Sequence, residues 1–395
     1  MKMDPEQLVI KIAEIGRENP SSPSLHEVEI FKHYFASGEV VDRNRLDQRD
    51  GSLTRREALT RFLLLSAVLD QGPDIEGIRQ MLIQTTNELY RKEVRFLHKP
   101  VSFFSEIGVA IDEILTQHKA IREIRSSDWA KVNRSNASRY NLFMDNARQV
   151  LGYAIFRWGV PLALPYLLEK DNQSEGKPVE NALLDYLESY DSTEKMTQQL
   201  KDHPRYGLGK AIGDKAAHLF GKWLVSSFRL TRKSESGWDD FSYEVPYDSN
   251  AGRILWRTGY LHHWADEQDF KKQNVLQPGK GKGNTTYIRV TNLRGMKAVK
   301  NVSPELWDPY QEICVRHLKT HRKRPQNLQI QQIQHVYLWA HRDQGLNVAH
   351  FDDGLIFIGT RYCLNHDQPD CQQCPISALC EGKTSNKDLI LNYRT

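Results

Sequence analysis

Cysteine is scarce in this chain, and long apolar runs are absent from it. The 395 residues include five cysteines, and four of these fall between Cys363 and Cys380. No apolar run reaches the length of about 20 residues that spans a membrane, and the first residues alternate charged and aliphatic side chains, unlike a secretion signal. We therefore expect a cytoplasmic protein without a membrane partner. Disulfides are rare in such a reducing compartment, where clustered thiols more often bind a metal.

The bulk composition argues against a disordered chain and leaves the type of partner open. Apolar residues make up 39% and charged residues 26% of the sequence, as in folded soluble proteins. The length predicts two packed units, or one core with large insertions. A net charge of +4 permits a nucleic-acid partner without requiring one.

Apolar residues recur at helical spacing over much of the chain, which predicts a mostly α-helical fold with few strands. In segment 52–74, Thr54 and Glu57 form a capping-box pattern, and an apolar face follows before Gly72 and Pro73 end the helix. The same period predicts further helices in segments 75–94, 104–124 and 146–170 before its prolines, and two more helices are expected in segments 303–321 and 327–343. A Gly- and Lys-rich turn in segment 276–295 predicts a β-hairpin.

The four clustered cysteines have the order C-x7-C-x2-C-x5-C, and three interpretations compete for them. Structural zinc sites usually combine two short cysteine pairs about a dozen or more residues apart, whereas this segment has one two-residue gap. Disulfides are disfavoured by the compartment. A [4Fe–4S] cluster accepts four thiolates from one compact loop, which this spacing favours. The fifth cysteine, Cys314, is predicted to be a buried helix residue.

The cysteine segment closely resembles the C-terminal cluster loop of the endonuclease III family of DNA glycosylases. The usual order in that family is C-x6-C-x2-C-x5-C, so the first gap here is one residue longer, and the flanking sequences FIGTRYC and CPISALCEGK are also similar. The resemblance implies that Cys363, Cys371, Cys374 and Cys380 bind a [4Fe–4S] cluster. It further implies a two-lobed helix-hairpin-helix fold that ends in an iron–sulfur loop and carries helical insertions.

The stretch AIGDKAAHLF (211–220) is similar to the second half of the family's hairpin, in which a G-x-G-x-K-x-A pattern turns between two helices. Gly213 takes the position of the second glycine, and Lys215 takes that of the lysine. Such a hairpin needs small residues, because its backbone N–H groups approach a phosphate closely. A second register, in which YGLGKAIG supplies the pattern, adds these DNA-binding candidates: Gly207, Gly209 and Lys210.

Asp248 and Arg253, in VPYDSNAGRILWR, resemble the family's aspartate segment, where a carboxylate at a helix start precedes an arginine at the same offset. The resemblance implies that Asp248 stabilises positive charge on a sugar, or activates a water, while an N-glycosidic bond breaks. It also implies that Lys215, as a free amine, attacks the sugar's C1′ in an additional lyase step. Asp248 could instead simply cap a helix, and Lys215 could be an ordinary exposed lysine.

The remaining candidates are contacts to DNA. Arg253 is one of them, and Gln71 is another, because it follows LLLSAVLD, which is similar to the family's LSAQ helix end. Gln71 also fits an ordinary turn. Basic stretches at 316–324 and 279–283 are either phosphate contacts or solvated surface.

Taken with the resemblance, the sequence implies a monomeric DNA glycosylase of the cytoplasm, or of the nucleoid in a prokaryote. It would flip a damaged, mismatched or modified base out of double-stranded DNA and cleave its N-glycosidic bond. The alternatives are a non-catalytic, metal-containing nucleic-acid-binding module and a zinc-bound regulator. Four segments are predicted: an N-terminal helical extension (1–50), a helical lobe with insertions (51–200), a lobe with the hairpin and the aspartate (201–350), and the cluster loop and tail (351–395).

Overall fold

A computed structural model describes residues 3–70, 75–129, 140, 154–280, 286–290, 293–300, 302–321, 328–364 and 369–382. These residues are mostly helical, which confirms the predicted class. Contacts divide the chain into two compact units. The first unit is Met1–Ser21, Ser192–Glu194 and Glu235–Thr395, and the second is Ser22–Asp191 and Lys195–Ser234. The division into four segments stays a prediction.

The helices are numbered here in chain order within the described residues. The first nine are α1 (Pro5–Glu18), α2 (Arg55–Leu69), α3 (Ile75–Arg91), α4 (Pro100–Glu106), α5 (Ile111–Gln117), α6 (Ala154–Ser174), α7 (Ala182–Glu188), α8 (Thr193–Asp202) and α9 (Asp214–Lys222). The later ones are α10 (Ser249–Arg257), α11 (Tyr260–Trp264), α12 (Glu267–Lys272), α13 (Pro304–Arg316), α14 (Ile333–Ala340) and α15 (Val348–Arg361). None of the described helices has both the length and the apolar character needed to cross a membrane.

Close helix packing builds the first unit around α15. A Cβ atom added to Gly16 of α1 would lie 1.8 Å from the carbonyl oxygen of His350, and one added to Gly354 would lie 1.9 Å from that of Ile12. One turn farther along α15, a Cβ atom on Gly359 would lie 1.9 Å from Oδ1 of Asn250 in α10. Glycine at these positions therefore lets the backbones of α1 and α15 approach closely and makes room on α15 for the Asn250 side chain.

Helix α2 forms the centre of the second unit and is buried on every side, including the predicted apolar face. Thr54 caps it by accepting a hydrogen bond from the Glu57 N–H at 3.2 Å. The Glu57 carboxylate does not complete the capping box. It accepts hydrogen bonds from the backbone N–H groups of Leu183 and Leu184, each at 3.0 Å, and so caps α7 instead.

Two predicted helix boundaries are wrong because long-range packing overrides local signals. Helix α6 continues through Pro161 and Pro165, although the sequence predicted an end there. Both prolines lie in a fully buried stretch, where burial outweighs the lost backbone hydrogen bonds. Segment 104–124 does not form one helix, because the chain turns at Gly108, whose φ is +84°, between α4 and α5. Cys314 is fully buried in α13, as predicted.

The described strands form three two-stranded antiparallel hairpins. Strands β1 (Phe35–Ser37) and β2 (Val40–Val41), and β3 (Arg49–Asp50) and β4 (Leu53–Thr54), are short pairs that the sequence did not predict. Strands β5 (Leu276–Lys280) and β6 (Thr286–Val290) confirm the predicted hairpin, with Leu276 opposite Val290. Strand β6 packs on α10, where a Cβ atom on Gly252 would lie 2.5 Å from the Val290 carbonyl oxygen.

Candidate functional site

The four clustered cysteines line one cavity of the first unit. Cys363 follows the end of α15, and Cys371, Cys374 and Cys380 lie in turns after it. Residues 365–368, in the first gap, fall outside the described part of the chain. The same cavity is lined by Arg257 at the end of α10. The fold therefore brings together the four sulfurs that the sequence assigned to one metal centre.

The sulfurs are close enough to influence one another electrostatically. The pKa of the Cys374 thiol is raised to about 11, mainly by burial, and the charges of the other three sulfurs add to the shift. In the described residues, no group of three or more Cys, His, Asp or Glu side chains is already arranged to hold a metal ion. Four thiols around one mostly apolar cavity are nevertheless the donor set that an iron–sulfur cluster or a structural zinc ion requires.

Arg253 ties the first cysteine to α10. Its Nε donates to the Cys363 carbonyl oxygen at 2.9 Å, and its Nη2 donates to the Gly359 carbonyl oxygen at 3.2 Å and to Oδ1 of Asn250. The arginine is 4% exposed. Burial lowers the pKa of its guanidinium group, and the nearby Cys363 sulfur opposes that shift. Arg253 was assigned to DNA binding from the sequence, but all of these contacts are internal to the protein.

Arg257 makes a second connection between α10 and the cysteine segment. Its Nη1 donates to the Leu364 carbonyl oxygen at 2.8 Å and lies 3.5 Å from the Cys363 sulfur. Its own carbonyl oxygen is 3.6 Å from the Cys380 sulfur. Arg257 thus contacts both ends of the segment. Sequence reasoning missed it, although its position one helical turn after Arg253 was an available signal.

Asp248 caps the helix that carries these arginines. Its Oδ1 accepts hydrogen bonds from the N–H groups of Asn250 and Ala251, each at 2.9 Å, which confirms the capping interpretation. The side chain is half-buried. A series of contacts then leads from Asp248 through Asn250 and Arg253 to Cys363. A carboxylate in this position interacts favourably with the positive end of the helix dipole.

Tyr247 lies beside this carboxylate and was not identified from the sequence. In the described structure its hydroxyl oxygen is buried without a hydrogen-bond partner. Burial and the charge of Asp248 raise its pKa well above the ordinary value, so the hydroxyl stays protonated. A Cβ atom on Gly252 would lie 2.7 Å from this oxygen, so that glycine makes room for the tyrosine.

The glycines of the predicted hairpin have different environments. Gly207 is buried, and a Cβ atom there would lie 2.6 Å from the backbone of His203. Gly209 has a φ of +56°, and a Cβ atom added there would lie 2.6 Å from the Cβ atom of Arg122. Both glycines are therefore explained by internal packing. Gly213 is exposed, has no neighbouring atom within 4 Å of an added Cβ, and forms the N-cap of α9.

Lys215 lies in the first turn of α9 and is bound to the end of α2. Its Nζ is 3.1 Å from the Asp70 carbonyl oxygen and 3.5 Å from Oδ1 of the same residue. Asp70 is 1% exposed, and its Oδ2 also accepts a hydrogen bond from Nη2 of Arg79 at 3.0 Å. No local sequence pattern indicates this pairing, because Asp70 and Lys215 are 145 positions apart. Lys215 belongs to the second unit and Asp248 to the first.

The other predicted contacts are only partly described. Gln71 lies outside the described residues, as do residues 281–283 and 322–324 of the two basic stretches. Lys210 is exposed. In the described part of the basic stretch 316–324, Arg316 pairs with Glu312 at 3.3 Å, and Nζ of Lys319 donates to the Ser236 hydroxyl at 2.8 Å.

Gly382 provides a test of how the cysteine segment closes on α10. A Cβ atom there would lie 1.1 Å from the Arg257 carbonyl oxygen, so Gly382→Ala should displace the segment's end and destabilise the first unit by about 1–3 kcal/mol. Gly213→Ala is the matched control, because its Cβ meets no neighbour and its φ of −94° suits alanine. The measurement is urea unfolding of both variants. Equal stability of the two variants would contradict the described packing.

Comparison with models of protein families finds none that matches this chain. Comparisons with curated proteins and with solved structures also find no match.

Proposed function

We propose that this protein is a DNA glycosylase of the endonuclease III type. The observation that supports it most strongly is the role of α10, which Asp248 caps at its start and whose two buried arginines hold the four-cysteine segment. Helix α10 thus begins at the candidate catalytic carboxylate and, through its two arginines, contacts the segment that carries the candidate metal ligands. The division into two compact units agrees with a two-lobed fold, and the resemblance of the cysteine segment supplies the family.

In this proposal Asp248 acts on the sugar of a nucleotide flipped out of the duplex. Cleavage of the N-glycosidic bond leaves positive charge on the sugar, which an ionised carboxylate stabilises, or the carboxylate activates the attacking water. The base must leave the stack first, at a cost that is lower for damaged or mismatched pairs. The cap bonds from Asn250 and Ala251 keep the Asp248 carboxylate in one orientation.

Cys363, Cys371, Cys374 and Cys380 would hold a [4Fe–4S] cluster in this proposal. When bound, such a cluster supplies metal–thiolate bonds that cross-link the segment. Arg257 lies near the Cys363 sulfur, where an N–H group can stabilise a thiolate ligand. The four thiolates fill the cluster's positions, so we assign it a structural role and assign base excision to Asp248.

Gly213 is the best-placed glycine for a phosphate contact. Its exposed backbone at the start of α9 lets a phosphate approach the helix N-terminus without obstruction by a side chain. Because Gly207 and Gly209 are accounted for by packing, this observation favours the register that contains Lys215 over the one that contains Lys210.

The ion pair with Asp70 bears on the proposed lyase step. Attack on C1′ requires an amine that is free to reach the sugar, whereas Nζ of Lys215 donates to the Asp70 carbonyl oxygen at 3.1 Å and lies 3.5 Å from Oδ1 of Asp70 in an ion pair. We therefore propose that base excision is the main activity. Strand cleavage then requires Lys215 to leave Asp70.

The central prediction concerns Asp248. Purified protein, assayed against duplexes that carry single oxidised, mismatched or modified bases, should release at least one of these bases. Asp248→Asn should lower that rate by about 100-fold or more, because it removes one electrostatic group from the transition state. The fold should persist, because asparagine caps helices as well as aspartate does.

Asp266→Asn is the matched control, since Asp266 also caps a helix of the first unit, α12. Its rate should equal that of the wild type. Full activity of Asp248→Asn would refute the assignment. Tight DNA binding without release of any base would instead favour the non-catalytic nucleic-acid-binding module.

A second prediction concerns Lys215 and is measured by borohydride capture on a duplex with an abasic site. Covalent capture by the wild type should be weak, Lys215→Ala should abolish it, and Asp70→Asn should increase it several-fold by releasing the amine. Lys201→Ala is the control, because Lys201 pairs with Asp214 at 2.8 Å next to the same hairpin. Capture that survives in Lys215→Ala would show that another amine reacts, and unchanged capture in Asp70→Asn would remove the restraining role of Asp70.

A further inference from the structure

The first unit contains a second pocket, which lies among α1, α11, α14 and the start of α13. Its volume is about 420 Å³, within the range of roughly 300–1,000 Å³ that small-molecule sites occupy. None of the residues assigned above to catalysis, to DNA or to the metal lines it. The pocket therefore requires its own explanation.

Aromatic and aliphatic side chains form one part of the pocket wall. Trp264 from α11, Tyr337 and Val336 from α14, and Leu306 from α13 all line it. Trp264 is 3% and Tyr337 5% exposed, so both rings are held firmly by the surrounding core. Burial, together with the negative charges of Glu6 and Asp4, raises the pKa of Tyr337, so its hydroxyl remains protonated. This part of the wall suits the apolar body of a ligand.

Carboxylate side chains form another part of the pocket wall. Glu6 of α1 lines the pocket with a side chain that is 47% exposed, and one of its oxygens is 2.9 Å from Nε2 of His341. Glu305, in the first turn of α13, also lines it. Hydrogen bonds from its own backbone N–H and from the Ser303 hydroxyl lower the pKa of Glu305, so it is ionised at neutral pH. Glu305 also compensates the positive end of the α13 dipole, where an anion would otherwise bind.

Few basic side chains lie near the two carboxylates of this pocket. His263 lines the pocket, and His341 contacts Glu6. Nζ of Lys300 is bonded to the His262 carbonyl oxygen at 3.0 Å. The lining residues thus include two carboxylates and no lysine or arginine. A cation beside these carboxylates gains from their charges through charge-assisted hydrogen bonds.

We propose that this pocket binds a small organic cation, an ammonium group on a flat or branched apolar body. The ammonium group lies between Glu6 and Glu305, and the apolar body packs against Trp264 and Tyr337. This site does not depend on the glycosylase function, and its ligand is a small amine.

Calorimetric titration of the full-length protein tests the proposal with three probes of one shape. Benzylammonium should bind saturably at millimolar concentration, and benzyl alcohol and benzoate should bind at least about fivefold more weakly, because only the first presents a charged donor to the carboxylates. Glu6→Gln and Glu305→Gln should each weaken benzylammonium binding by roughly three- to tenfold. Glu312→Gln removes an exposed carboxylate from α13 outside the pocket and should leave the affinity unchanged.

Three results would overturn the proposal: no saturable binding of benzylammonium, binding of benzoate or benzyl alcohol with equal strength, or wild-type affinity in the Glu6→Gln, Glu305→Gln double variant. The glutamine changes preserve side-chain shape, and thermal unfolding of each variant checks the fold. If a variant does not fold, the comparison of the three probes on the wild-type protein still tests whether the pocket prefers a cation.

Discussion

Two buried guanidinium groups hold the cysteine segment in its place. Arg253 and Arg257 are each 4% exposed, and the hydrogen bonds they donate reach carbonyl groups of residues 359, 363 and 364. A buried charge without such partners costs several kcal/mol, so removing the acceptors would destabilise α10 as well as the segment. The cysteine segment and the Asp248 helix consequently stabilise one another.

Features encoded in short stretches of sequence were predictable. These features are the position of the four cysteines around one cavity, the cap at Asp248, the β-hairpin that ends at Val290 and the burial of Cys314. Each of them depends on neighbouring residues or on composition. Features that depend on contacts between distant parts of the chain could not be predicted. The continuation of α6 through Pro161 reflects packing against other parts of the chain, which periodicity cannot indicate.

The candidate site shows the same limit. Sequence motifs pointed to Lys215, but its partner Asp70 comes from a helix 145 positions earlier, and that partner alters the chemistry expected of the amine. Arg253 was predicted to contact DNA, and its described contacts are with Asn250, Gly359 and Cys363. Glycines with the same predicted role differ in environment, and only the structure separates Gly213, which is open, from those fixed by packing.

The central claim is that the four clustered thiols bind a [4Fe–4S] cluster, and X-ray absorption at the iron and zinc edges of the purified protein tests it most directly. The account predicts about four iron atoms per chain, each bonded to sulfur, with a short iron–iron distance. Cys314→Ser should preserve this signal, because Cys314 is buried in α13 outside the cavity. A single zinc atom per chain, surrounded by sulfur at about 2.3 Å with no second metal nearby, would contradict the account.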